Sequence, residues 1–148
     1  MQNEALLAKA GAALEAVPAV RVAYVFGSRV SGRARPRSDL DVAVLYDPRL
    51  DADGRETARR DVLAALTDAF GRLGELADIV DLGSSGAAVA FRAILDGRCV
   101  LARERAERVR LEARMARRYD DEAPRRALIR RAAARAATEM GAGLPGRS

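Results

Sequence analysis

The 148-residue sequence contains no histidine and no tryptophan, and it has one lysine, Lys9, and one cysteine, Cys99. The absence of histidine excludes a Ser-His-Asp triad, a Cys-His dyad and a zinc site with histidine ligands. Acid–base or metal chemistry must therefore rely on carboxylates, tyrosines or the single lysine. Cys99 has no second cysteine for an intramolecular disulfide, and no signal-like segment opens the chain, so we expect a cytoplasmic location.

Long apolar runs are also missing. The apolar segments are too short to span a bilayer, so we expect no membrane insertion. Apolar side chains make up 49% and charged side chains 32% of the chain, which is typical of a globular domain and not of a disordered segment. At this length we expect a single domain.

The net charge of +5 is unevenly distributed along the chain. Residues 1–100 carry 13 basic and 14 acidic side chains, whereas residues 101–148 carry 13 basic and 7 acidic side chains. Only 4% of the residues are aromatic, so base stacking has little support and we do not expect nucleic-acid binding. Within the basic region, Val109, Leu111 and Met115 form an apolar stripe. This stripe either packs on the protein's own sheet or docks an acidic partner.

The hydrophobic pattern predicts an α/β domain, with a small mixed β-sheet, helices packed on it and a C-terminal helical tail. We predict a core over residues 1–102 and an arginine-rich helical extension of the same domain over residues 103–148. Ser84 and Ser85 are predicted to cap the helix that follows them. The predicted helices span 3–17, 28–32, 53–73 and 86–97, the predicted strands span 20–26, 40–46, 76–82 and 98–102, and the last eight residues are expected to fray.

The segment "GSRVSGRARPRSDLD", residues 27–41, lies between two predicted strands and ends in two alternating carboxylates. Asp39 and Asp41 project from the same face of a strand, roughly 6.5–7 Å apart along the backbone. Carboxylates placed so close repel each other and raise each other's pKa. Divalent cations remove that repulsion, and two Mg²⁺ ions about 3.5–4 Å apart would fit between such groups.

The Gly-Ser pair at the start of this segment is suited to phosphate. Gly27 and Ser28 end a strand and open a helix, which points backbone N–H groups outward at the positive end of the helix dipole. Gly27 lets a phosphate approach the backbone, and the Ser28 hydroxyl adds a donor. Positive charge for a polyphosphate is offered by Arg29, Arg33, Arg35 and Arg37. A Gly-Ser pair or an Asp-x-Asp motif alone is common, but the two at this spacing are far more restrictive.

The resulting Gly-Ser-x10-Asp-x-Asp pattern resembles the signature of the polymerase-β-type nucleotidyltransferase superfamily. It is most similar to the minimal nucleotidyltransferases, the antitoxin partners of HEPN-domain toxins. The resemblance runs from about residue 20 to about residue 124 and includes "DIVDL", "ILDGRCVLARE" and "RRYDDEAP". It implies a Mg²⁺-dependent transfer of AMP from ATP to a tyrosine hydroxyl of a cognate HEPN ribonuclease toxin, which neutralises the toxin.

In this family a third carboxylate on a neighbouring strand completes the metal site. The segment "LADIVDL" offers Asp78 and Asp81, which point to opposite faces of the predicted strand, and periodicity does not choose between them. Similar sequences place the acidic residue just before an apolar pair, which favours Asp78. The resemblance therefore implies Asp39, Asp41 and Asp78 as catalytic and metal-binding residues, and the triphosphate would be bound by Gly27, Ser28 and Arg29.

Two other functions stay open at this point. A non-catalytic antitoxin would neutralise its toxin by occlusion, and the metal site would then be incidental. A small-molecule nucleotidyltransferase would instead modify an aminoglycoside-like acceptor.

Overall fold

The computed structural model describes residues 3–31 and 39–142 and contains a four-stranded mixed sheet with helices on both faces. The predicted α/β architecture is confirmed. The elements in chain order are α1 (Asn3–Glu15), β1 (Val20–Phe26), α2 (Ser28–Ser31), β2 (Asp41–Tyr46), α3 (Ala52–Phe70), α4 (Arg72–Glu75), β3 (Asp78–Asp81), α5 (Ala87–Asp96), β4 (Arg98–Ala102), α6 (Arg105–Asp121) and α7 (Ala123–Ala142).

The strand order in the sheet is β3-β2-β1-β4, so β3 and β4 form its two edges. Strand β1 pairs antiparallel with both β2 and β4, whereas β2 and β3 are parallel. Because of these directions, the start of β2, the start of β3 and the end of β1 lie at one end of the sheet. We call this the acidic end, after Asp39, Asp41 and Asp78, which lie there.

Two apolar cores cover the two faces of the sheet. On one face, α1 and α3 pack their buried leucines and valines against Leu40, Val42 and Val44, as the strand alternation predicts. On the other face, side chains of α5 and α6 cover Val22 and Tyr24. The middle of the sheet is therefore shielded from solvent on both faces, so a polar ligand can be bound only at the ends of the sheet.

Polar contacts hold α6 against β1. The buried Tyr24 hydroxyl donates to Glu112 Oε1 over 2.7 Å, and Arg108 Nε donates to the same oxygen over 2.9 Å. Nearer the start of both β1 and α6, Arg21 Nε donates to Glu107 Oε1 over 3.1 Å. Burial, together with the hydrogen bond to Glu112, raises the pKa of Tyr24, so the phenol stays protonated and keeps donating.

Helix α7 projects from the domain. The first turn is held by Arg126, whose guanidinium lies 3.4 Å from the centre of the Tyr119 ring, and that ring stacks on Phe91. From Leu128 to Gly141 every side chain is exposed. The fraying predicted for the last eight residues lies mostly outside the described residues, although the helix does continue through Ala142.

Several local expectations differ from the structure. Helix α3 ends at Phe70, because Gly71 turns the backbone to φ 62°, before the predicted end at residue 73. The predicted capping by Ser84 and Ser85 is wrong, since Gly86 is the N-cap residue of α5 and no side chain caps it. Both serine N–H groups instead donate to the Asp81 carbonyl, over 3.2 and 2.9 Å.

The predicted apolar stripe on α6 is divided. Leu111 and Met115 are buried in the protein's own core, whereas Val109 is 55% exposed. Packing on the sheet therefore accounts for two of the three residues.

None of the helices within residues 3–31 and 39–142 combines the length and apolar character that a bilayer-spanning helix needs.

Candidate active site

Strand pairing brings two of the predicted site carboxylates together at the acidic end. Asp41 is the first residue of β2 and the register partner of Asp78, the first residue of β3. Register partners on neighbouring strands share a face, which here is the face covered by α5 and α6. Asp39 is exposed and lies just before β2, two residues from Asp41.

The charges of these three carboxylates act on one another. The pKa of Asp41 is raised, first by its partial burial and then by the negative charges of Asp78 and Asp39. Each of these causes disfavours the ionised carboxylate, so this end of the sheet favours a positively charged ligand.

Asp81, the alternative third carboxylate, lies elsewhere. It ends β3 as the register partner of Val44, on the opposite face of the sheet. One of its oxygens accepts a 2.8 Å hydrogen bond from the Gly83 N–H, and the other lies 3.8 Å from Arg55 Nε. The structure therefore places Asp78 beside Asp41 and gives Asp81 local partners of its own.

Gly27 lies directly against Asp41. Its φ of 82° is in the left-handed region, which side chains rarely adopt, and a Cβ at this position would collide with Asp41 Oδ2. Two independent constraints thus require glycine here. The contact was not predicted from sequence, because it depends on the pairing of Phe26 with Asp41 at the end of the β1–β2 ladder.

The helix after Gly27 is a single turn. Helix α2 covers Ser28–Ser31, and the Val30 N–H donates to the Gly27 carbonyl over 3.1 Å. One turn sums few peptide dipoles, so the macrodipole expected here is small, and the local N–H and hydroxyl donors carry any binding of phosphate. The predicted phosphate-binding arginines Arg33, Arg35 and Arg37 lie outside the described residues.

A cleft of about 540 Å³ opens beside Gly27. It is lined by Phe26 and Gly27 at the end of β1 and by Val89, Arg92 and Asp96 of α5. Its volume is in the range of small-molecule pockets, about 300–1,000 Å³. The α5 residues were missed by the sequence reasoning, although their spacing of three and four puts them on one helix face. We call this cavity the Gly27 cleft.

The described residues do not form a ready-made metal cluster. Within residues 3–31 and 39–142, no group of three or more acidic or cysteine side chains stands close enough to hold an ion. Asp39 and Asp78 are nevertheless near enough to Asp41 for their charges to act on it.

Residues 9–106 match the family described as "Polymerase beta, Nucleotidyltransferase". The chain belongs to this family. The matched region includes the whole sheet and every residue of the acidic end. The sequence resemblance to the nucleotidyltransferase superfamily is therefore confirmed. No curated protein sequence shows a significant match to the chain.

Solved structures share the nucleotidyltransferase fold over most of the chain. A chain of a toxin–antitoxin complex with AMP-PNP superposes with a TM-score of 0.64 at 23% identity, covering 89% of this chain and 98% of that one. A chain of the MntA–HepT toxin–antitoxin complex gives 0.55 at 23% identity, covering 88% and 96%. The Shewanella oneidensis complex of a tri-AMPylated HEPN toxin with an MNT antitoxin gives 0.60 at 22% identity, covering 88% and 98%.

Proposed function

We propose that this nucleotidyltransferase is an antitoxin that transfers AMP from ATP to a tyrosine hydroxyl of a HEPN-domain toxin. The observation that carries the proposal is the pairing of Asp41 with Asp78 beside Gly27, with Asp39 two residues away. Support also comes from the similar folds, since one is seen with AMP-PNP and another in a complex whose toxin is tri-AMPylated.

Mg²⁺ fits the donor set at the acidic end. Three carboxylates supply the hard oxygen ligands that Mg²⁺ prefers, and their mutual repulsion already disfavours an uncompensated site. We assign Asp39, Asp41 and Asp78 to hold the ion, and we expect their side chains to converge when the cation balances their charge. Bound Mg²⁺ would lower the pKa of the acceptor hydroxyl and offset the negative charge that builds up on phosphate.

The chain's own residues position the nucleotide. The N–H groups that follow Gly27 and the Ser28 hydroxyl face the triphosphate, and Arg29 adds positive charge in the same turn. The Gly27 cleft lies immediately beside these donors and has the volume to hold the nucleoside. Because Gly27 has no side chain, the triphosphate and the Asp41 carboxylate can lie close together.

The acceptor approaches from the open side of β3. Asp78 is exposed, so a hydroxyl on another protein can reach it, and its carboxylate accepts the hydroxyl proton. The acceptor oxygen forms a bond to the α-phosphorus, and the bond to the leaving oxygen breaks to release pyrophosphate. A tyrosine hydroxyl, with a pKa near 10, needs less activation than an aliphatic alcohol.

The test is a transfer assay with a HEPN protein encoded beside this chain and carrying an Arg-x4–6-His motif. With labelled ATP and Mg²⁺ we expect label on a tyrosine of that protein, located by mass spectrometry, and loss of its ribonuclease activity. Asp41→Asn is the matched control and should give neither result. If Asp41→Asn neutralises the toxin as well as the wild-type protein does, the antitoxin acts by occlusion and the proposal is wrong.

A further inference from the structure

A second cavity lies at the far end of the sheet, where β2 and β3 finish. It has a volume of about 430 Å³, and the charged residues that line it are Asp47, Arg55, Asp81, Arg114 and Arg118. We call it the arginine cleft. Strand β2 is six residues long, so at about 3.3 Å per residue the cleft lies roughly 17 Å from Asp41. It is therefore separate from the proposed active site.

The positive charges of this cleft are only partly balanced. Asp47 is already engaged by Arg49, whose Nη2 donates to it over 2.8 Å, and Asp81 is shared between Arg55 and the Gly83 N–H. Within residues 3–31 and 39–142, Arg114 and Arg118 of α6 have no carboxylate partner.

Those two arginines lie one helical turn apart. Arg118 donates to two neutral acceptors, the Ser85 carbonyl at 3.3 Å and the Met115 sulfur at 3.7 Å. Arg114 has neither a hydrogen bond nor an ion pair with any residue in the described ranges. Like charges at this spacing repel, and an anion between them removes the repulsion.

We propose that the arginine cleft binds the phosphate group of a small molecule, held by Arg114 and Arg118. Guanidinium groups match phosphate oxygens in a two-point geometry, and the cavity volume is that of a small-molecule site. A docked protein helix fits less well, because Leu111 and Met115, which would have seated it, are buried in the protein's own core. This assignment is independent of the proposed AMP transfer.

The experiment is an NMR titration of the full chain with inorganic phosphate, and in a separate sample with citrate, at constant ionic strength. We expect saturable shifts of the Gly83 and Ser84 amides. Arg114→Gln combined with Arg118→Gln should weaken binding by about 10-fold or more, since each lost charged hydrogen bond is worth about that factor. Arg110→Gln combined with Arg117→Gln is the matched control. It removes the same charge from exposed positions of the same helix outside the cleft and should leave binding within about twofold.

Four results would overturn the assignment. Shifts confined to Gly27 and Ser28 would place the phosphate at the acidic end. Equal weakening of phosphate binding in the two double variants would show that binding depends on the net charge of the helix and not on the arginine cleft. Binding of citrate without binding of phosphate would change the ligand class, and shifts that do not saturate would mean that there is no site.

Discussion

The two ends of the sheet use the same residue types and reach opposite states of charge. At the acidic end, Asp39, Asp41 and Asp78 lie near one another, and the pKa of Asp41 is raised, first by its partial burial and then by the negative charges of Asp78 and Asp39. At the other end, Asp47 and Asp81 each have a positively charged or N–H partner, and Arg114 is the group left without one among the described residues. The residue type is the same at both ends, and the neighbours differ. A carboxylate with a positively charged or N–H partner is structural, whereas a carboxylate surrounded by other carboxylates is a candidate catalytic group.

The largest expected effect is at the acidic end. Asp41→Asn keeps the shape of the side chain but removes a metal ligand, which is worth several kcal/mol, or on the order of a 10³-fold loss of AMP transfer. The fold should stay intact, since the change relieves repulsion in the metal-free protein. Turnover numbers and Tm measured on the same preparation test both statements. Near-normal turnover would remove Asp41 from the catalytic assignment.

The comparison is sharpest between the two ends of β3. Asp78→Ala should lower turnover by about 10²-fold or more, because it removes a carboxylate that faces Asp41. Asp81→Ala should cost far less activity and should lower stability by about 1 kcal/mol, since it removes the acceptor of the Gly83 N–H. Turnover and denaturant unfolding of the two variants decide the matter. A larger loss of turnover in Asp81→Ala would exchange the two roles.

A smaller effect is expected from Gly27→Ala, with Gly71→Ala as its control. Both glycines have positive φ, so each substitution incurs backbone strain of about 1–3 kcal/mol. Only at Gly27 does the new Cβ meet Asp41, since nothing lies within 4 Å of a Cβ at Gly71. We therefore expect a loss of Tm in both variants, larger in Gly27→Ala because of the added collision, and reduced nucleotide transfer in Gly27→Ala alone. Equal transfer by the two variants would show that the Gly27–Asp41 contact does not matter for activity.

The smallest effect is expected midway between the two ends. Tyr24→Phe removes the hydrogen bond to Glu112 and should lower the free energy of unfolding by about 1 kcal/mol while leaving nucleotide transfer unchanged. Chemical denaturation and the transfer assay measure the two quantities. A loss of transfer in a well-folded variant would mean that the docking of α6 is coupled to the acidic end.

The same variant has a pH signature. Burial alone would raise the pKa of Glu112, but the hydrogen bonds from Tyr24 and Arg108 outweigh it, and the pKa is lowered. A carboxylate with a lowered pKa stabilises the fold above its ordinary pKa of 4.5, and that stabilisation is lost as the pH falls through the lowered value. Tyr24→Phe should therefore lose less stability than the wild-type protein between neutral and acidic pH.

The sequence predicted the elements well where one pattern dominates. Strand β1 was predicted at 20–26 and found at Val20–Phe26, because its β-branched run is bounded by Pro18 and Gly27. The Gly-Ser and Asp-x-Asp motifs were recognisable from residue type and spacing. The choice between Asp78 and Asp81 needed the register of β3 against β2, which periodicity alone does not contain.

Both clefts were beyond sequence reasoning, because each joins residues that are distant in the chain. The Gly27 cleft combines β1 with α5, and the arginine cleft combines the ends of β2 and β3 with α6. The capping serines were mispredicted since Gly86 takes the N-cap position and the Ser84 and Ser85 N–H groups belong to the turn after β3. The division at residue 102 stays a prediction.

Helix α7 stands clear of the sheet along most of its length, so its backbone is open to a protease. Helices of about 12–15 residues without tertiary support are marginal in water, so this one should open often. Its exposed stretch carries Arg130, Arg131 and Arg135, each a site for trypsin. Brief digestion should release the end of α7 and leave the sheet whole, and any molecule that covers the helix should slow the cut. The rate of cleavage would then report the occupancy of α7 in a mixture, without a label on either molecule.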